Sequence, residues 1–248
     1  PPHHPIMPET PAVSITALLK KTEHYDKDER YMATSDLCEV LKRQSGEGGG
    51  STTMDSNIER QICTAVLRLL HDKSNDVQAI AVKTLGVLLT TVKEEQVLEI
   101  ADSLADQVLD ASKSELRDVY AIGLRTLVKT IPPARSEERL VGRLLEGIRS
   151  SQNEEIVLSC LDILTELLAR FGGSAVAVTR QHESILQMCL TQLSSTAPVV
   201  RKRAGSAMAC LSVVLTDALL MRMVEALLGQ IDQAEGIGKE GRRKTAAA

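Results

Sequence analysis

The chain has 248 residues, of which 43% are hydrophobic but only 2% aromatic, with no Trp, one Phe and three Tyr, and its net charge is −4. That much aliphatic material fills one large core or two ordinary ones, while the shortage of rings weighs against sheet folds and against base-stacking on single-stranded nucleic acid. The mildly acidic balance gives no attraction to phosphate backbones, and no apolar run nears the roughly 18 residues of a membrane span, so neither nucleic acid nor a membrane is an expected partner.

In chain order, residues 1–11 (PPHHPIMPETP) have neither a basic region nor an apolar stretch, so they read as a disordered tail without a signal peptide. The start at Pro1 suggests a processed or excised piece. From there the apolar spacing is helical almost throughout: Ile58, Ile62, Ala65, Val66, Leu69 and Leu70 form one stripe, and Val97, Ile100, Ala101, Leu104 and Val108 another. The spacing predicts helices over residues 12–21, 26–44, 55–71, 76–91, 93–110, 114–131, 136–150, 153–170, 182–193, 198–215 and 217–231. The breaks carry helix punctuation: DKSND at 72–76, the Pro132–Pro133 pair, and Gly172–Gly173. A flexible insertion is expected at 45–54, where GEGGGST is too polar and glycine-rich to pack. Residues 232–248 read as a frayed or truncated tail.

Internal repetition decides the architecture. Aligning the second helix of each pair on Glu29, Val77, Leu116, Ile156 and Val200 brings Ala33, Ala81, Tyr120, Cys160 and Ala204 together four residues on. Leu37, Leu85, Leu124, Leu164 and Met208 follow eight residues on, at separations of 48, 39, 40 and 44 residues. A two-helix HEAT unit spans about 40 to 47 residues. The residue at the first inward position lets helices approach, and the larger aliphatic one a turn later fills the space between repeats. The expectation is an all-α superhelix, a HEAT-repeat solenoid of about five and a half helix pairs over residues 12–231.

Candidates for chemistry are weak. His3 and His4 lie in the Pro-rich tail, and His24, His71 and His182 stand alone, so no metal site is expected. GEGGGST lacks the lysine of a phosphate loop and has no strand before it, so no nucleotide cofactor is expected. Cys38, Cys63, Cys160, Cys189 and Cys210 are scattered singly in apolar stripes and read as buried thiols in a reducing compartment. The pairs Glu94–Glu95, Glu137–Glu138 and Glu154–Glu155 fall in first helical turns, where the helix dipole favours carboxylates. No nucleophile–base arrangement is present in the sequence, so the chain reads as a non-enzyme. The basic groups are more informative. Arg30, Arg117 and Arg201 share one position of the aligned repeats, with Lys202 and Arg203 beside the last. That column could be an ion-pair ladder to neighbouring repeats or a surface for an acidic protein partner. Arg242, Arg243 and Lys244 read as the first turn of a truncated helix or a weak nuclear-import signal.

Four stretches carry a resemblance: DKDERYMATSDL (26–37), DVQAIAVKTLG with VKEEQV after it (76–86, 92–97), LRDVYAIGLRTL followed by IPP (116–133), and VRKRAGSAM (200–208). In order and spacing they are similar to the amino-terminal repeats of the cullin-associated neddylation-dissociated family, long HEAT solenoids that wrap around cullin-RING ubiquitin ligases. The likeness covers most of residues 13–231. It implies a regulator whose amino-terminal arch embraces the cullin's carboxy-terminal domain and RING subunit, covers the lysine that accepts the ubiquitin-like modifier, and helps exchange substrate receptors. Scattered single thiols, no signal-peptide pattern and no membrane-length apolar run make cytoplasm and nucleus the expected compartments. Two features depart from the family: the Gly-rich loop is long, and the chain stops inside a sixth repeat where the family continues. The chain then reads as a fragment, or as a half that works with a separate chain carrying the remaining repeats. A docking surface for that chain is expected on the last helix, at Leu220, Met223, Val224 and Leu227. Periodicity alone supports the alternative of a generic HEAT adaptor of the transport-receptor or phosphatase-scaffold sort.

Overall fold

The computed structural model describes residues 14–46, 54–130 and 136–246, with side chains as far as 232. Twelve α-helices and one 3₁₀ turn, and no strand, make up the described residues: α1 Ile15–Lys21, α2 Lys27–Gly46, α3 Ser56–Leu69, α4 Asn75–Leu88, α5 Glu94–Leu109, the 3₁₀ turn Ala111–Leu116, α6 Arg117–Thr130, α7 Ser136–Ser150, α8 Glu154–Phe171, α9 Val176–Arg180, α10 His182–Leu193, α11 Pro198–Ser212 and α12 Asp217–Ala246. This is the HEAT-repeat solenoid that the periodicity predicts. The ends follow local chemistry. Asp55 caps α3 by accepting from the amides of Asn57 and Ile58, Asn153 caps α8 through Glu155, and Pro198 opens α11 where no amide donor is needed. At the end of α8 a Cβ on Gly172 would sit 2.5 Å from the Leu168 carbonyl oxygen and 3.1 Å from Val214, so the close turn excludes a larger residue.

The chain forms two compact units divided inside α5, between Ile100 and Ala101. In the first, α1 packs on α2 and α3 on α4, while α2 lies against α4 and α1 against α3, which is the two-layer stacking of helix pairs. In the second, α7 pairs with α8 and α10 with α11; α6, α8 and α11 stack as one layer, and α7, α10 and α12 contact one another in turn as the other. The aligned inward positions behave as the repeat register requires. Ala33, Ala81, Tyr120, Cys160 and Ala204 are buried, and so are Leu37, Leu85, Leu124, Leu164 and Met208. Ala at that position lets helix axes approach, and aliphatic volume alone fills the layers without rings.

Four differences from the expected elements have physical causes. The 3₁₀ turn precedes α6 because Asp110 folds back to accept from the Ser112 amide, giving a tighter lead-in than an α-helix. The short α9 buries Val178 and Ala175 in a segment whose length hides its period. The last helix continues to Ala246, past the expected end at 231, and no proline lies between Asp217 and Ala246 to stop it. Cys210 is half-exposed where burial was expected, whereas the other four thiols are buried. The expected tail 1–11, the centre of the insertion at 45–54 and the Ile131-to-Pro133 turn lie outside the described residues.

Candidate functional site

Four of the five second helices begin by stapling the turn that precedes them. The staple is a side chain one residue past the alignment anchor. Arg30 donates from Nη1 to the carbonyls of His24 and Tyr25, both at 2.8 Å. Gln78 donates to the Asp72 carbonyl at 2.7 Å, and Arg201 to the carbonyls of Ser195 and Thr196 at 2.8 and 2.9 Å. Arg117 reaches further back, to the carbonyls of Val108 and Asp110 at 3.3 and 3.2 Å. A long donor here satisfies carbonyls that the end of a helix or a turn leaves without intrahelical partners. Its recurrence in four of the five aligned repeats is therefore structural.

Two of these arginines, Arg30 and Arg117, also reach to the next repeat. Arg30 makes a two-pronged pair with Asp72, Nε to Oδ2 at 2.6 Å and Nη2 to Oδ1 at 2.9 Å. The Arg30 guanidinium holds the Asp72 carboxyl below the usual carboxylate range, and the Arg30 value is raised in return. Arg117 is 1% exposed and pairs with Glu155 at 2.7 Å. Arg203 meets Asp162 at 3.1 Å, and Arg125 and Lys129 both face Glu166. Among the first helices, Arg68 pairs with Glu23, Lys93 with Glu59, Arg143 with Asp102 and Asp106, and Arg222 with Glu183. Both layers are thus laced by ion pairs about one repeat apart in sequence. The four-residue basic column, expected as either an ion-pair ladder or a partner surface, accordingly divides between the two. Arg30 and Arg117 are spent on carbonyls and carboxylates of this chain, and Arg117 is buried among them. Arg201 staples a turn while staying exposed, and Lys202 is exposed. Glu155, expected only as a first-turn charge, is the partner that meets buried Arg117.

Between α6, α8 and α11 these pairs line an open groove of about 270 Å³, with Asp118, Leu158 and Val199 on its walls. Ile122 and Val199 on the same layer are about half exposed. Such a mixture of fixed ion pairs and exposed aliphatic groups suits protein recognition. His182 is buried, with Nε2 2.9 Å from the Gly172 carbonyl oxygen, so it serves the turn after α8. Burial pushes the thiols of Cys63, Cys160 and Cys189 up to about 12, the wrong direction for a nucleophile. Among the described residues no three His, Cys, Asp or Glu side chains gather as a metal site requires, and no helix is long and apolar enough to cross a membrane.

On α12 the predicted docking stripe is turned by one face. Met223 is buried against the α10 side, Leu220 and Leu227 are half-buried, and Val224 is 40% exposed. Arg222 pairs with Glu183, and Gln230 donates to the Leu190 carbonyl, which fixes that face on α10. The open apolar stripe is Met221, Val224, Leu228 and Ile231. Amphipathic spacing finds the stripe that packs, and here α10 already covers much of it.

The chain matches no protein-family model. It is 35% identical over 230 residues to cullin-associated NEDD8-dissociated protein 2 of Mus musculus, covering 90% of this chain and 18% of that protein. Cullin-associated NEDD8-dissociated protein 1 of Dictyostelium discoideum is also 35% identical, over 88% of this chain and 18% of its own length, and that of Drosophila melanogaster 34%, over 88% and 17%. The chain therefore spans less than a fifth of the length of these relatives. Among solved structures it resembles the third TOG domain of Drosophila melanogaster Mini spindles, with TM-score 0.60, 14% identity, and 87% and 92% of the two chains covered. The amino-terminal domain of MAST/Orbit gives TM-score 0.59 at 14% identity, covering 88% and 96%. At that identity the structural likeness concerns the fold alone.

Proposed function

Over nine-tenths of its length the chain belongs to the cullin-associated NEDD8-dissociated protein family, and on that premise we propose that it is a non-catalytic regulator of cullin-RING ubiquitin ligases. It contributes the amino-terminal arch that binds the cullin's carboxy-terminal domain and RING subunit, occludes attachment of the ubiquitin-like modifier, and assists exchange of substrate receptors. The observation that carries the reading is sequence identity of 35% sustained over 230 residues, in a fold whose structural neighbours match at only 14%. The repeat scaffold is common to many proteins; about a third of the side chains on it are identical to those of these relatives. The second-helix layer, with exposed Arg201 and Lys202, is the face offered to acidic surface on the cullin. The open stripe of α12 is the end on which further repeats stack, in the same or a separate chain, because stacked units cover one another's apolar faces.

The test is the rate of modifier attachment to a purified cullin-RING complex, with and without saturating amounts of this chain, alone and together with a chain carrying the relatives' remaining repeats. Occlusion predicts slower attachment, more strongly with both chains because the second contact becomes intramolecular. Unchanged rates under both conditions would overturn it.

A further inference from the structure

The four aromatic rings beyond the histidines are divided evenly between core and surface. Tyr120 and Phe171 are 1% and 2% exposed, whereas Tyr25 is 90% and Tyr31 39% exposed. The exposed pair lies seven residues from end to end at the entry to α2, together with Met32 at 56%. Scattered apolar exposure is ordinary on a protein surface. Three large side chains of the types favoured at protein interfaces, gathered in one short segment of a chain so poor in rings, are not scattered.

The backbone presenting Tyr25 is held in place. Its carbonyl and that of His24 accept from Arg30, whose other nitrogens are locked onto Asp72. The Asp26 amide meets His24 Nδ1 at 3.2 Å, and Asp26 Oδ1 accepts from the Asp28 amide at 2.9 Å. The His24 and Tyr25 rings sit 4.3 Å apart at 37°. An exposed ring on a fixed turn has little ordering entropy left to lose on binding. The rim is acidic. Asp28 and Asp36 flank Met32 at four-residue spacing on the exposed side of α2, with Glu29 beside them. Residues 23–39 carry six carboxylates against two cations; Glu23, Glu29 and Glu39 meet Arg68, Lys21 and Lys42, and Asp28 and Asp36 carry the negative charge beside Met32.

We infer that Tyr25, Tyr31 and Met32, rimmed by Asp28, Glu29 and Asp36, form a docking surface for a basic, Lys- or Arg-rich segment of a partner protein. Charge complementarity selects the partner's sign. The two rings supply faces over which a guanidinium or ammonium stacks, and Met32 takes the aliphatic stem. The inference stands apart from the cullin reading, since it rests on this surface alone.

The test uses fluorescence anisotropy with the full chain and two labelled octapeptides, one of alternating Arg and Lys and one of alternating Glu and Asp. The basic peptide binds and the acidic one does not. The double variant Tyr25→Ala/Tyr31→Ala weakens basic-peptide binding about tenfold, whereas Tyr25→Phe/Tyr31→Phe, which keeps both rings, retains most of it. Glu94→Gln/Glu95→Gln removes two exposed carboxylates from α5 instead, and changes binding less than about twofold. All of these positions are exposed, so unchanged circular dichroism and melting are expected of each variant. The inference is overturned by any of three results: no binding of the basic peptide to the wild type, equal binding by the alanine variant, or an equal loss in the Glu94/Glu95 variant.

Discussion

Replacing Arg117 with Met separates a structural arginine from a recognition arginine. Arg117 is 1% exposed, and its guanidinium donates to the Val108 and Asp110 carbonyls and to Glu155. Methionine keeps most of the packing of the stem, so the loss comes from the donors. Two acceptors deprived of the guanidinium at about 1–3 kcal/mol each, lowered by whatever water reaches the turn, give about 2–4 kcal/mol. Losing the ion pair adds little, because Glu155 is 67% exposed and rehydrates once released. For a chain of this size about 2–4 °C of melting temperature accompanies each kcal/mol, so Arg117→Met melts roughly 5–15 °C below wild type. Glu155→Gln, which leaves the carbonyl staples intact, costs less than about 1 kcal/mol. The assay is thermal unfolding followed by circular dichroism on both variants. If Arg117→Met melts within about 2 °C of wild type, or Glu155→Gln is as damaging, the guanidinium does not hold this turn.

Three further outcomes follow from the packing and electrostatics. Ala81→Leu and Ala204→Leu each overfill a fully buried helix contact and destabilise by about 1–3 kcal/mol, while Ala209→Leu on the exposed side of α11 melts like wild type; unchanged melting in both core variants would show the repeat register to be wrong. The depressed Asp72 carboxyl stabilises the fold above the unfolded carboxylate pKa of about 4, and that contribution is lost as pH falls through the lower folded value. Asp72→Asn is therefore less stable than wild type at neutral pH, with a gap that closes on acidification; denaturant titrations at several pH values check this, and a gap independent of pH would contradict it. In native protein at mildly alkaline pH, iodoacetamide modifies half-exposed Cys210 first, and Cys160 and Cys189, buried and pushed up to about 12, only on unfolding. Peptide mapping that finds Cys160 alkylated as fast as Cys210 would refute that burial.

The helices and their inward faces were readable because a 3.6-residue period survives in the sequence wherever a helix buries a stripe. Ala81, Leu85, Cys160, Leu164 and Ala204 all fall at 0% exposure where the repeat alignment places them. The pair between Arg117 and Glu155 was readable as one rung of a ladder to the neighbouring repeat, but the carbonyl staples of Arg117 were not. Those carbonyls lie seven and nine residues back, and no local spacing marks them as neighbours of the guanidinium. A signal did exist in the alignment. Arg30, Gln78, Arg117 and Arg201 all place a long donor one residue after the anchor, and Gln78 is the informative member, since an uncharged donor fits turn carbonyls better than an acidic partner. The open face of α12 was misplaced for a different reason. Spacing identifies the stripe Leu220, Met223, Val224 and Leu227, but only the fold shows that α10 occupies that side and leaves Met221 and Leu228 outward.

Direct binding to a purified cullin-RING complex tests the account where it matters most. The chain, wild type and Lys202→Glu, is titrated against the unmodified and the modifier-conjugated complex by biolayer interferometry, with and without a second chain carrying the relatives' remaining repeats. The account predicts weak binding to the unmodified complex by the chain alone, tighter binding with the second chain, weaker binding to the conjugated complex, and a loss in the charge-reversal variant without a fall in its melting temperature. No binding to the unmodified complex under either condition would contradict it and leave only a HEAT-repeat scaffold of other purpose.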